Sequence, residues 1–163
     1  MQSPILAPAA TLILWSMAVL VWVTVTRFAA ISRLPRDQLR TLSKAGTRGP
    51  DLERVLPASA NWKSHNYTHL MEQPTVFYAA TVILALSGAG GGANATLAWG
   101  YTGLRILHSI WQALVNTLPV RMSLFTTSSL CLTALAINAV RAALWDRDQV
   151  ALTSSRPIDF SCS

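Results

Sequence analysis

Apolar positions gather into four runs, from Ile5 to about Thr26, about Tyr67 to Leu86, about Ala95 to Val115 and about Met122 to Leu144, separated by polar or glycine-rich stretches. Each is about 20 residues long, enough at 1.5 Å per residue to cross a hydrocarbon core of roughly 30 Å. The pattern predicts an all-α membrane protein: one four-transmembrane-helix bundle over residues 1–145, a basic loop over 27–63 and a polar C-terminal tail over 146–163, disordered towards its end. A signal peptide is a poor reading of the first run, because Met1-Gln2-Ser3-Pro4 has no basic side chain and the run is too long.

The third run is the irregular one. As a helix it places Tyr101, Arg105, His108 and Gln112 on one stripe, with Ser109 and Asn116 beside it, while Leu104, Ile106, Leu107, Ile110, Leu114 and Val115 fall on the other side. An ionisable side chain at bilayer depth costs roughly 2.5–3.5 kcal/mol on insertion scales, so it is kept with a partner or a polar cavity. Arg105 and His108 therefore mark the first candidate site.

The segment leading into the second run, Asn61 to Pro74, is polar and carries His65, Asn66, His69, Glu72 and Gln73 at helical spacing. Pro74 has no N–H to give the carbonyl of Leu70, so a kink is expected there. Glu72 is expected to meet Arg105, either as a buried ion pair that packs the second helix on the third or as part of a cytoplasm-facing pocket for an anion. His65, His69 and Glu72 fit a zinc pattern only loosely, with no second ligand cluster, and no metal is expected.

Composition agrees with the membrane reading: 52% of residues are hydrophobic, only 12% are charged, and little chain is left for a soluble domain. The net charge of +6 alone would allow a nucleic-acid partner. Its placement argues otherwise: Arg27, Arg33, Arg36, Arg40, Lys44, Arg48, Arg54 and Lys63 share the first loop, and no aromatic residue interleaves with them between Phe28 at its start and Trp62 at its end. That asymmetry puts the first loop in the cytoplasm, both termini outside, and anionic headgroups beside the loop. Within the loop, Pro35, Gly46, Gly49, Pro50 and Pro57 exclude a long helix, leaving a short amphipathic helix near Asp37 to Ser43 or a solvated connector. The stretch from Ser87 to Ala93 reads as a hairpin connector, since no Lys-Ser/Thr follows its glycines as a phosphate loop requires. Cys131 and Cys162 show no metal or CxxC spacing and are expected to be free thiols. Neither inverted repeats nor paired broken helices point to a transporter.

Taken together, Asn66…Glu72-Gln73-Pro74, Trp99…Arg105-Ile106-Leu107-His108-Ser109 and Pro119-Val120-Arg121 resemble the MAPEG family, the membrane-associated proteins in eicosanoid and glutathione metabolism, in its bacterial-type branch. The resemblance covers Asn61 to about Leu144, with the first run similar in topology alone. It implies a homotrimer in a bacterial inner membrane, glutathione as co-substrate, and a transferase or peroxidase acting on lipophilic molecules in an inter-helix cleft. By that resemblance Asn66, Glu72, Arg105, His108 and Gln112 hold a glutathione-like ligand, and Arg121 is the catalytic cation that stabilises the thiolate. Several positions depart from the family pattern. His69 stands where the enzymes usually carry the acid, Gln112 replaces a Tyr, and Met122 and Phe125 sit beside Arg121 where polar or phenolic groups occur in some members. The alternative is a non-enzymatic scaffold or lipid-binding subunit in which the polar cluster only knits helices together.

Overall fold

The computed structural model describes residues 3–42 and 48–154, and among them it is all-helical with no strand. In chain order the helices are α1 (Leu6–Ile31), α2 (Arg36–Leu42), α3 (Gly49–Val55), α4 (Ala58–Glu72), α5 (Pro74–Leu86), α6 (Gly92–Leu114) and α7 (Leu118–Ser154). Two of them, Leu6–Ile31 and the Leu118–Trp145 part of α7, are long and apolar enough to cross a membrane. The expected disorder at the tail's end, the Ser43 end of the short loop helix and Cys162 lie outside the described residues; α2 occupies the rest of that loop helix, and Cys131 is a free thiol.

α4–α5 and α6 lie between α1, which packs on α4, α6 and α5, and α7, which packs on α6 and α5. The α1 seam runs through the buried positions Ile5, at its N-cap, Ala9, Leu12, Ser16, Val19 and Val23, which alternate steps of four and three, with Pro8 buried beside Ala9. That is the spacing of one stripe on a slightly supercoiled helix. Ser16 joins it by returning its hydroxyl to the carbonyl of Leu12 at 2.9 Å. α7 repeats the device with Ser128, Leu132, Leu135 and Ala139. Large apolar side chains such as Leu14, Val25 and Phe28 remain exposed on α1, which suits lipid as the solvent.

The second element starts earlier than its hydropathy suggests. Helix begins at Ala58, straight after Pro57, and the polar residues to Glu72 form α4; Gln73 separates it from α5, which opens on Pro74. At the far end of α5 the glycine-rich hairpin also anchors the N-terminal segment, because Ile5 N–H donates to the carbonyl of Gly90 at 3.0 Å. A Cβ at Gly90 would collide with the Ser3 and Ile5 side chains, so any other residue there must push them aside. α3 is tied to α4 by Asn61 Nδ2, which donates to the Glu53 carbonyl at 2.8 Å, and by His65, whose Nε2 lies 3.2 Å from the Glu53 carboxylate.

Candidate functional site

The site is organised by the interruption at Gln73. A helix end leaves its last carbonyls without intrahelical donors, and Pro74 withholds the N–H that Leu70 would use in a continuous helix. Arg105, fully buried on α6, supplies the missing donor: its Nη2 donates to the carbonyl of Leu70 at 3.2 Å and also to that of His69. The cation thus sits at the negative end of the α4 dipole. This corrects the expected Glu72–Arg105 ion pair. Among the described residues Arg105 joins no carboxylate, and Glu72 instead pairs with His69, Oε2 to Nδ1 at 3.1 Å, one turn away on the same helix. The break created backbone acceptors nearer to the guanidinium than the Glu72 side chain, which points out from α4 and stays 47% exposed.

The expected polar stripe of α6 is its buried face: Tyr101, Thr102, Arg105, His108, Ser109 and Gln112 are all at most 3% exposed. Asn66 on α4 is equally buried and donates from Nδ2 to Ser109 Oγ at 2.9 Å. Tyr101 packs its ring 4.4 Å from that of Phe77, with 32° between the planes. Several polar atoms in this face have no protein partner: Arg105 Nε and Nη1, both amide atoms of Gln112, Tyr101 Oη and Asn66 Oδ1. Buried donors and acceptors left so are costly, at about 1–3 kcal/mol each, and mark places where a polar guest is favoured.

Arg121 is placed by the α6–α7 turn. Asn116 takes a left-handed conformation, φ 55°, which Asn tolerates better than most residues, and its N–H closes α6 on the Trp111 carbonyl at 2.8 Å. Its Oδ1 then accepts from Arg121 Nη1 at 2.9 Å, so one residue ends a helix and aims a cation. Pro119 follows in the first turn of α7, where a proline's missing N–H does no harm.

These elements meet at a small cavity of about 110 Å³ lined by His69, Glu72, His108, Arg121, Met122 and Phe125. The Phe125 ring forms one wall, 5.8 Å from the Arg105 guanidinium carbon and 6.1 Å from the His108 ring. Of the six residues expected at the site, Glu72, His108 and Arg121 line the cavity. Arg105 sits behind Phe125, and Asn66 and Gln112 are buried along the α6 face without lining it. His69, Met122 and Phe125 are the additions; Met122 follows Arg121 directly and Phe125 follows it by one helical turn. A larger groove of about 620 Å³, bounded by Gln73, Ser129 and Arg141, lies between α5 and α7 and shares no residue with this cavity. Among the described residues no group of three or more His, Cys, Asp or Glu side chains converges as metal ligands would; His65 and His69 each face a separate carboxylate.

The MAPEG family model matches residues 5–141, nearly the whole described length. The chain belongs to the MAPEG family. No curated protein and no solved structure matches it significantly. As a MAPEG protein it is an integral membrane protein, in keeping with its two long apolar helices. The segments that carry the polar cluster, from Asn66 to Phe125, all fall inside the matched residues.

Proposed function

We propose that this MAPEG protein is a four-span, homotrimeric membrane enzyme that uses glutathione on lipophilic substrates, as a transferase or a peroxidase. The observation that carries the reading is the meeting of Arg121, His108, Glu72 and His69 around one cavity at the broken end of α4. The Arg121 guanidinium, aimed by Asn116, lowers the cost of a thiolate beside it. In the transferase, the thiol loses its proton and its sulfur forms a bond to an electrophilic carbon, which either releases its leaving group with the bonding electron pair or, when the carbon belongs to a polarised double bond, passes that pair to the neighbouring atom, which takes up the proton. In the peroxidase, two thiols are oxidised to a disulfide while the hydroperoxide is reduced to an alcohol and water. A volume of 110 Å³ suits the thiol end of a tripeptide and not the whole of it, so its charged ends extend past Glu72 and His69 at the half-exposed rim. Asn66, Arg105 and Gln112 support the site from behind. The first loop faces the cytoplasm of a bacterial inner membrane, with both termini outside.

Glutathione titrated into the detergent-solubilised chain is expected to raise its melting temperature, since a ligand of the native state stabilises by mass action. Mixing is also expected to produce ultraviolet thiolate absorbance that Arg121→Gln abolishes. No melting shift at millimolar glutathione would sink the reading. The scaffold alternative draws on a separate observation, that Arg105 and Asn66 already spend donors on His69, Leu70 and Ser109 across helices. It predicts that Arg121→Gln leaves every ligand response unchanged.

A further inference from the structure

A second polar constellation lies away from the cavity, where α1 leaves the apolar zone. α1 and α4 part there around a groove of about 490 Å³, with the apolar side chains of Leu20 and Val23 before Arg27 and of Phe28 and Ile31 after it along α1, and Ser64 and Tyr67 supplied by α4. Arg27 is about 31 Å along the helix from Leu6 at 1.5 Å per residue. That is the depth at which a hydrocarbon core of roughly 30 Å gives way to headgroups. Its Nη1 is fixed by Ser64 Oγ at 2.8 Å, which holds the guanidinium over the groove with its remaining N–H groups available. Next to it Lys63 places its ammonium 5.5 Å from the centre of the Trp22 ring, and Trp is a residue of membrane interfaces.

Basic side chains outnumber acidic ones along residues 27–63. Arg33, Arg36, Arg48 and Arg54 stand on the adjoining loop and short helices. Of the acidic residues there, Asp37 stands in the first turn of α2, Asp51 accepts the Arg48 backbone N–H at 2.9 Å and Glu53 faces His65 at 3.2 Å. A guanidinium pre-set by one hydrogen bond, with hydroxyls beside it and an apolar slot beneath it, matches a phosphate ester carrying an acyl chain. We infer that this groove is a binding site for one anionic phospholipid, its phosphate on Arg27 and an acyl chain between α1 and α4. The site is separate from the proposed thiol cavity and stands whether or not that cavity binds glutathione. It rests on the membrane setting of the family.

The test uses the full chain in nanodiscs of phosphatidylcholine with or without phosphatidylglycerol, followed by native mass spectrometry of the lipids retained after release. Phosphatidylglycerol is expected to be retained over phosphatidylcholine. Arg27→Gln lowers that retention more than tenfold, whereas Arg33→Gln, on the loop outside the groove, lowers it no more than about fivefold, the share of one charge near an anionic surface. Thr24→Trp, which fills the groove without changing charge, removes the retained lipid and keeps the melting temperature measured in phosphatidylcholine. Equal effects of Arg27→Gln and Arg33→Gln, retention of phosphatidylcholine to the same degree, or survival of the lipid in Thr24→Trp would each overturn the assignment. Should Arg27→Gln fail to fold, Thr24→Trp and Arg33→Gln decide it alone.

Discussion

If Arg105 is the donor that Pro74 withholds from Leu70, the two residues must be energetically coupled despite their distance in sequence. Arg105→Met removes a buried guanidinium and leaves the carbonyls of His69 and Leu70 without their donor. Each buried carbonyl so exposed costs about 1–3 kcal/mol. Against that, the variant no longer desolvates a cation whose Nε and Nη1 lack protein partners, which returns part of the loss. A net destabilisation of about 2–4 kcal/mol follows from these opposing contributions. Pro74→Ala restores an N–H that can satisfy Leu70 from within the helix. Arg105→Met in that background therefore costs less, by about the value of one carbonyl, roughly 1–3 kcal/mol. The assay is a double-mutant cycle on detergent-solubilised protein, with unfolding by sodium dodecyl sulfate followed through tryptophan fluorescence. Independent sites add to within about 0.3–0.5 kcal/mol, so the coupling is well outside that range. Additivity within that range, or a larger loss in the Pro74→Ala background, would refute the capping argument.

Asn116→Gly keeps the left-handed turn and the fold, yet releases Arg121, so thiolate absorbance is expected to fall with little change in melting temperature; Asn116→Ala adds about 1 kcal/mol of backbone strain, read as a further drop in stability. Asn66→Leu costs about 1 kcal/mol through the lost Ser109 bond, and a cycle with Ser109→Ala should show that the two residues share it. Gly90→Ala forces the Ser3 side chain aside and is expected to lower the melting temperature, with partial recovery in the Gly90→Ala/Ser3→Gly double variant. His65→Ala changes stability by less than about 0.5 kcal/mol, because the His65–Glu53 pair is half exposed; a larger loss would give α3 a structural weight that its contacts do not suggest.

How much of this was legible in the chain depends on what each solvent leaves visible. The α6 stripe stood out because its polar residues interrupt an apolar helix, and it is the buried face. The α1 seam was invisible, since Leu14 and Val25 face outward as readily as Leu12 and Val19 face inward, and a helix bathed in lipid shows no polar side to contrast with. The kink at Pro74 followed from its missing N–H, while the start of α4 at Ala58 did not follow from hydropathy, which scores side chains and is blind to a polar helix held between α1 and α6. Arg105 was expected to seek a carboxylate because a sequence displays charges and hides carbonyls. Proline was the clue to the real partner. Glu72, His108 and Arg121 were brought together, whereas Asn66 and Gln112, expected as ligand contacts from the family resemblance, are buried without lining the cavity.

The two sides of the cavity also differ in how much disorder a guest must remove. Behind Phe125, Arg105 is fully buried and its Nη2 is held by two backbone carbonyls, so little of its freedom is left to lose. At the rim, His69 and Glu72 are 40% and 47% exposed and are held by their contact with each other, which a guest must break or reorder. Ordering such a side chain on binding costs about 0.5–1.5 kcal/mol. A molecule that reaches only the inner wall is met by groups already in place, and one that also engages the rim sacrifices part of that contact to entropy. Selectivity should therefore be strict for whatever enters the cavity and permissive for whatever leans on its edge.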